Sequence, residues 1–130
     1  MQLQKLLFEP TLTRSVPSIV KWWESRRLAY NGVVGAVGIG TLAYVTLIDR
    51  VFFAGSSGPP LLLVAIYGIA ANACYSLGWF AEITIQRWLK EPAYGLGPAM
   101  FRYGLVFSIG LTLLPVGIAT AAAIAKLIFG

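Results

Sequence analysis

Three long stretches without a formal charge constrain this chain more than any other feature. No charged residue lies between Arg27 and Asp49, a gap of 21 residues, between Arg50 and Glu82, a gap of 31, or between Arg102 and Lys126, a gap of 23. An α-helix rises about 1.5 Å per residue, so about 20 apolar residues cross a hydrocarbon layer of about 30 Å. Two of the gaps match that length. The middle gap is longer because it contains Gly55-Ser56-Ser57-Gly58-Pro59-Pro60, a run that breaks helices. In lipid each backbone polar group must be satisfied inside its own segment, which selects helices. The expectation is an all-α integral membrane protein. Its three transmembrane helices fall at about 28–48, 61–81 and 103–123, forming a domain over 28–130. Only 12% of the 130 residues are charged, about half the share a soluble domain uses to cover its surface.

Residues 1–27 read as an arm followed by an interfacial helix. Pro10 and Pro17 rule out one continuous helix over the arm. No short apolar core with a small-residue cleavage site precedes the first span, so no secretory signal is expected. Ser18 is placed to cap a helix. Ile19, Trp22, Trp23, Arg26 and Arg27 then suit the headgroup layer, where indole rings and guanidinium groups are at home; a plain extension of the first span is the alternative. Lys21, Arg26 and Arg27 would meet anionic lipid there. Trp88 reads as a matching anchor after the second span. With the N-terminus in the cytoplasm, eight basic residues lie inside (Lys5, Arg14, Lys21, Arg26, Arg27, Arg87, Lys90 and Arg102), against Arg50 and Lys126 outside. The positive-inside rule therefore sets the N-terminus in and the C-terminus out. The basic residues flank apolar segments, so the net charge of +5 points to lipid and not to nucleic acid.

Small residues recur at four-residue spacing in every span: Gly32, Ala36 and Gly40; Gly68, Asn72 and Ser76; Gly104, Ser108 and Thr112. Such stripes let helix backbones approach closely, within one bundle or between chains. Asn72, Tyr75, Ser76, Trp79, Glu82 and Gln86 line one face of the second span. An amide at the depth of Asn72 needs a partner. Glu82 is a candidate for a cation path, or for ion pairing with Arg102, Arg26 or Arg27. Asp49 and Lys126 are a candidate pair at the other face. Asn31, just inside the first span, reads as a structural polar contact. Pro115 should perturb the third span, leaving a carbonyl near Leu111 to be satisfied locally.

There is no His and a single Cys, Cys74, which reads as a small packed hydrophobe. Histidine-ligated haem, ordinary zinc sites and His-based acid–base catalysis are excluded within the chain. No cofactor, metal site or catalytic constellation is expected, and scattered Ser, Asp and Glu offer no nucleophile with its base. Arg26-Arg27-x-x-Tyr30-Asn31, Asn72-x-Cys74-Tyr75-x-Leu77-Gly78-Trp79-x-x-Glu82 and Gly97-Pro98-x-x-Phe101-Arg102-x-Gly104 together resemble a group of small bacterial membrane proteins. The resemblance covers about 28–115. It implies a three-span protein of the bacterial inner membrane and no particular activity. The leading expectation is a non-enzymatic accessory or assembly subunit that packs against other membrane subunits or copies of itself. The alternative is an oligomeric transporter or channel using the polar face of the second span.

Overall fold

The computed structural model describes residues 3–9, 15–55, 60–89 and 94–130, and they fold into helices without a strand. Pro10, Arg14, residues 56–59, Lys90 and Pro92 lie outside the described residues. Helix α1 spans Leu3–Phe8, α2 Val16–Phe52, α3 Leu61–Trp88 and α4 Leu96–Phe129. The last three are long and apolar enough to cross a membrane. Each contains one of the expected spans, and each runs past it.

The extension is largest in α2, whose 37 residues cover about 55 Å. That exceeds a whole bilayer of about 40–45 Å with its headgroups. The segment expected to lie in the headgroup layer is therefore the first three turns of α2 itself. Its cap is Ser15 and not Ser18, because Pro17 sits in the first turn, where its missing N–H costs nothing. The Ser15 and Ser18 hydroxyls meet at 2.7 Å. At the other end α2 continues to Phe52, where Ala54 and Gly55 both take φ of 63°. The amides of Phe53 and Gly55 then converge on the Asp49 carbonyl, which reverses the chain. Helix α4 passes through Pro115 without a break. Next to the carbonyl that the proline frees, Thr41 Oγ1 donates to the Thr112 carbonyl at 3.1 Å.

The three long helices run up, down and up. One end gathers the start of α2, the end of α3 and the start of α4; it is called the cap end here. The α2–α4 interface is the most extensive, while α3 packs more lightly on both. A set of hydroxyls runs along the face of α4. Tyr30 meets Ser108 at 2.8 Å, Tyr67 meets Thr112 at 2.5 Å, and Tyr44 meets Thr120 at 2.9 Å. Ser108, Thr112 and Thr120 also donate to carbonyls four residues back in α4, so each hydroxyl is engaged on two sides. Away from these contacts the long helices expose large apolar side chains, Leu61, Leu62, Ile69, Val106 and Phe107 among them.

Candidate functional site

The best-buried part of the molecule is at the cap end. Ile19, Trp22, Trp23 and Tyr30 of α2 meet Tyr75 and Ile83 of α3 and Phe101 of α4. The rings pack edge to face: Trp22 on Trp23 at 5.6 Å, Trp23 on Tyr75 at 5.3 Å, and Trp23 on Phe101 at 6.1 Å. Such geometry adds about 0.5–1.5 kcal/mol per pair beyond area burial. Trp22 and Trp23 are therefore core residues and not a lipid-interface belt. The start of α2 has an apolar face of its own to bury, and these two indoles fill the space between α2, α3 and α4. Trp88, by contrast, is 86% exposed at the end of α3.

Glu82 sits inside this core with 1% of its surface exposed. Its Oε2 accepts from Trp23 Nε1 at 2.5 Å and its Oε1 from Gln86 Nε2 at 3.0 Å. The carboxylate also abuts the first turn of α4: a Cβ built on Gly97 would fall 2.7 Å from Oε2. Gly97 thus lets the buried carboxyl group approach the N-terminal turn of α4, where amides have no partner within the helix. Gly78 has a related role, since a Cβ there would meet the Trp23 ring at 2.9 Å. The expected pairing of Glu82 with Arg102, Arg26 or Arg27 is not formed. Those arginines have other partners, and the ion pair found among the described residues joins Arg27 to Glu24 at 2.7 Å.

Arg26 and Arg102 instead hold α1. A six-residue helix leaves most of its carbonyls without internal partners. Arg26 Nε donates to the Leu6 carbonyl at 2.8 Å and NH2 to the Lys5 carbonyl at 3.0 Å. Arg102 NH1 reaches the Leu7 carbonyl at 3.5 Å, and its guanidinium lies 4.5 Å from the Phe8 ring centroid. Trp22 Nε1 closes the set on the Glu9 carbonyl at 2.8 Å. Burial pulls the Arg26 guanidinium below its ordinary value, and Glu9 opposes that shift. Arg26 is therefore a buried cap for α1 and not a headgroup contact. At the far end Lys126 Nζ donates to the Phe52 carbonyl and lies over the Phe53 ring, in place of a pair with Asp49. The reason is that α2 runs past Asp49 and presents its terminal carbonyls to α4.

A polar seam joins α2 to α3 beside the core. Asn31 and Asn72 exchange amide hydrogen bonds at 3.1 and 3.0 Å. Arg27 reaches Asn72 Oδ1 at 3.4 Å and Ser76 Oγ at 2.8 Å. Its pKa is raised, chiefly by its hydrogen bonds to Glu24. The Asn72 amide thus finds its partners within the chain, as does Ser108 through Tyr30. Gly68 contributes its carbonyl, which accepts from Asn72 Nδ2 at 3.0 Å. Gly32, Ala36 and Gly40 face outward from the bundle, and Gly104 is exposed on α4. Nothing lies within 4 Å of a Cβ built on Gly32, Gly40 or Gly104. Trp79 Nε1 is buried without a hydrogen-bond partner among the described residues. Cys74 is an exposed thiol and not a packed one.

Sequence reasoning missed the capping of α1 and the depth of Glu82. The visible signal for the second was Gly78 and Gly97, small residues flanking an aromatic-rich face. The chain matches no family of known proteins, no curated protein and no solved structure. The fold and its contacts define a class: a helical protein with three helices of membrane-crossing length and a firmly packed cap at one end.

Proposed function

We propose that this chain is an integral membrane protein of the bacterial inner membrane, with its cap in the cytoplasm and its C-terminus outside. It acts as a non-enzymatic accessory or assembly subunit through helix packing against another membrane subunit or a second copy. The carrying observation is the outward face of α2, where Gly32, Ala36 and Gly40 lie exposed at four-residue spacing and a Cβ on Gly32 or Gly40 would meet nothing within 4 Å. In lipid, where no hydrophobic force draws helices together, close backbone approach along such a face supplies the dispersion contacts of association. The exposed apolar side chains around the long helices support insertion, since a soluble monomer rarely shows so large an apolar surface. A pore lined by α3 is the weaker reading. Asn72, Ser76 and Glu82, the side chains that would line it, are hydrogen-bonded inside the chain.

The test adds bulk to the outward face. In mild detergent, Ala36→Leu and Gly40→Leu should shift the complex to smaller size on native gels while the melting curve of the bundle stays unchanged. A complex of unaltered size in both variants refutes the packing role.

A further inference from the structure

Below the Asn31–Asn72 pair, α2 and α3 part and leave a groove of about 330 Å³. Gly35, Gly38 and Leu42 form one wall, and Val64, Tyr67 and Gly68 the other. The groove exists because side chains are missing from both walls. A Cβ on Gly35 or Gly68 would meet nothing within 4 Å, and one on Gly38 would first touch Thr112 Cγ2 at 3.8 Å. From Asn31 to Leu42 it follows α2 for about 16 Å, parallel to the helix axes. Its mouth is polar: the two asparagine amides line it, and Arg27 lies one turn further toward the cap. The Arg27 side chain is 27% exposed there and carries Glu24 on Nε and NH2 at 2.8 and 2.7 Å.

A cation above amides above an apolar slot, running along the helices, is the complement of an anionic amphiphile. We infer that the groove binds one acyl chain of an anionic phospholipid whose phosphate is held by Arg27 in place of Glu24. The inference rests on the membrane reading given above. In that reading the groove runs parallel to the lipid chains, and Arg27 lies at the edge of the hydrocarbon, where phosphates are found. Glu24 already shows that the guanidinium accepts a two-oxygen anion in this position. Its own hold is weak, because an exposed ion pair gains little over water. A phosphate anchored by its buried chain displaces it readily, and the fork of the guanidinium suits phosphate as well as carboxylate.

The experiment uses the full chain in nonionic detergent. It is titrated with phosphatidylglycerol or phosphatidylcholine of equal chain length and read by native mass spectrometry. Wild type should prefer phosphatidylglycerol by about fivefold, the worth of one basic side chain near anionic lipid. Arg27→Gln should abolish the preference. Gly35→Leu and Gly68→Leu, from opposite walls, should fill the slot and lose both lipids. Glu24→Gln should bind phosphatidylglycerol more tightly than wild type, a gain that misfolding cannot produce. Equal binding of the two lipids by wild type overturns the proposal. So does a preference that survives Arg27→Gln, or binding that survives both leucine variants. A chain that stays monodisperse in plain buffer without detergent overturns the membrane reading itself, whereas one that needs detergent but ignores phosphatidylglycerol overturns the groove alone.

Discussion

The contact between Trp23 and Glu82 joins the start of α2 to the end of α3, and a double-mutant cycle measures it. Glu82 accepts two hydrogen bonds, one on each oxygen, from Trp23 and Gln86. In Glu82→Gln one oxygen becomes an NH2 group that must face one of those donors. The loss is a hydrogen bond to a charged group, about 1.5–3 kcal/mol. A further ~0.3–1 kcal/mol of carboxylate–dipole attraction at the start of α4 goes with it. Trp23→Phe removes the same hydrogen bond from the other side and some ring area with it. In the double variant the NH2 group can turn toward the vacated indole position, so the two costs should fall short of their sum. The coupling energy should be about 1–3 kcal/mol. Reversible unfolding in mixed micelles, followed by far-UV circular dichroism, reads all four corners of the cycle. Costs that add to within about 0.5 kcal/mol would refute the idea that this hydrogen bond ties the cap together.

Gly78→Ala and Gly97→Ala should each destabilise by about 1–3 kcal/mol, because their Cβ atoms would meet the Trp23 ring and the Glu82 carboxylate; Gly110→Ala and Gly117→Ala, in open space, should be neutral or gain up to about 1 kcal/mol. The same unfolding assay separates the two pairs, and equal effects would sink the distinction. Arg26→Leu should remove the side-chain donor to the Lys5 and Leu6 carbonyls, so hydrogen exchange at Leu3–Phe8 should speed up while α3 is unaffected. Unchanged protection there would show that α1 is held by other means. Tyr67→Phe and Tyr44→Phe should each cost about 0.6–1.7 kcal/mol, the range for a hydrogen bond between helices in lipid, and no change in unfolding would remove the hydroxyls from the list of cohesive contacts.

The three long helices were legible because charge-free length is a strong signal in a short chain. All three expected spans, 28–48, 61–81 and 103–123, lie inside observed helices. The helix ends were not legible. Polar residues such as Lys21, Glu24 and Arg87 end a charge-free stretch but do not stop a helix, so α2 and α3 continue through them. That continuation explains the misreading of Trp22 and Trp23. Seen as the end of a span they suit headgroups; seen as part of a longer helix, Ile19, Trp23, Arg26 and Tyr30 form a stripe at steps of three and four that needs covering. Glu82 was misassigned because opposite charges suggest each other in a sequence, whereas the folded chain satisfies the carboxylate with an indole and an amide, against the first turn of α4. Helix α1 is too short for periodicity to reveal it. The need of Asn72 for a hydrogen-bond partner follows from apolar surroundings alone, whereas its partner Asn31 was not legible.

The cap also imposes an order on assembly. Translation delivers α1 and the start of α2 first, yet Phe101, Gly97 and Arg102 emerge roughly seventy to a hundred residues later. Until then Trp22 and Trp23 lack the Phe101 ring, Glu82 lacks the helix terminus beside it, and Leu7 keeps a bare carbonyl. Residues made before α4 thus wait for it to find their final neighbours, and a chain stalled before α4 displays a sticky, half-finished surface.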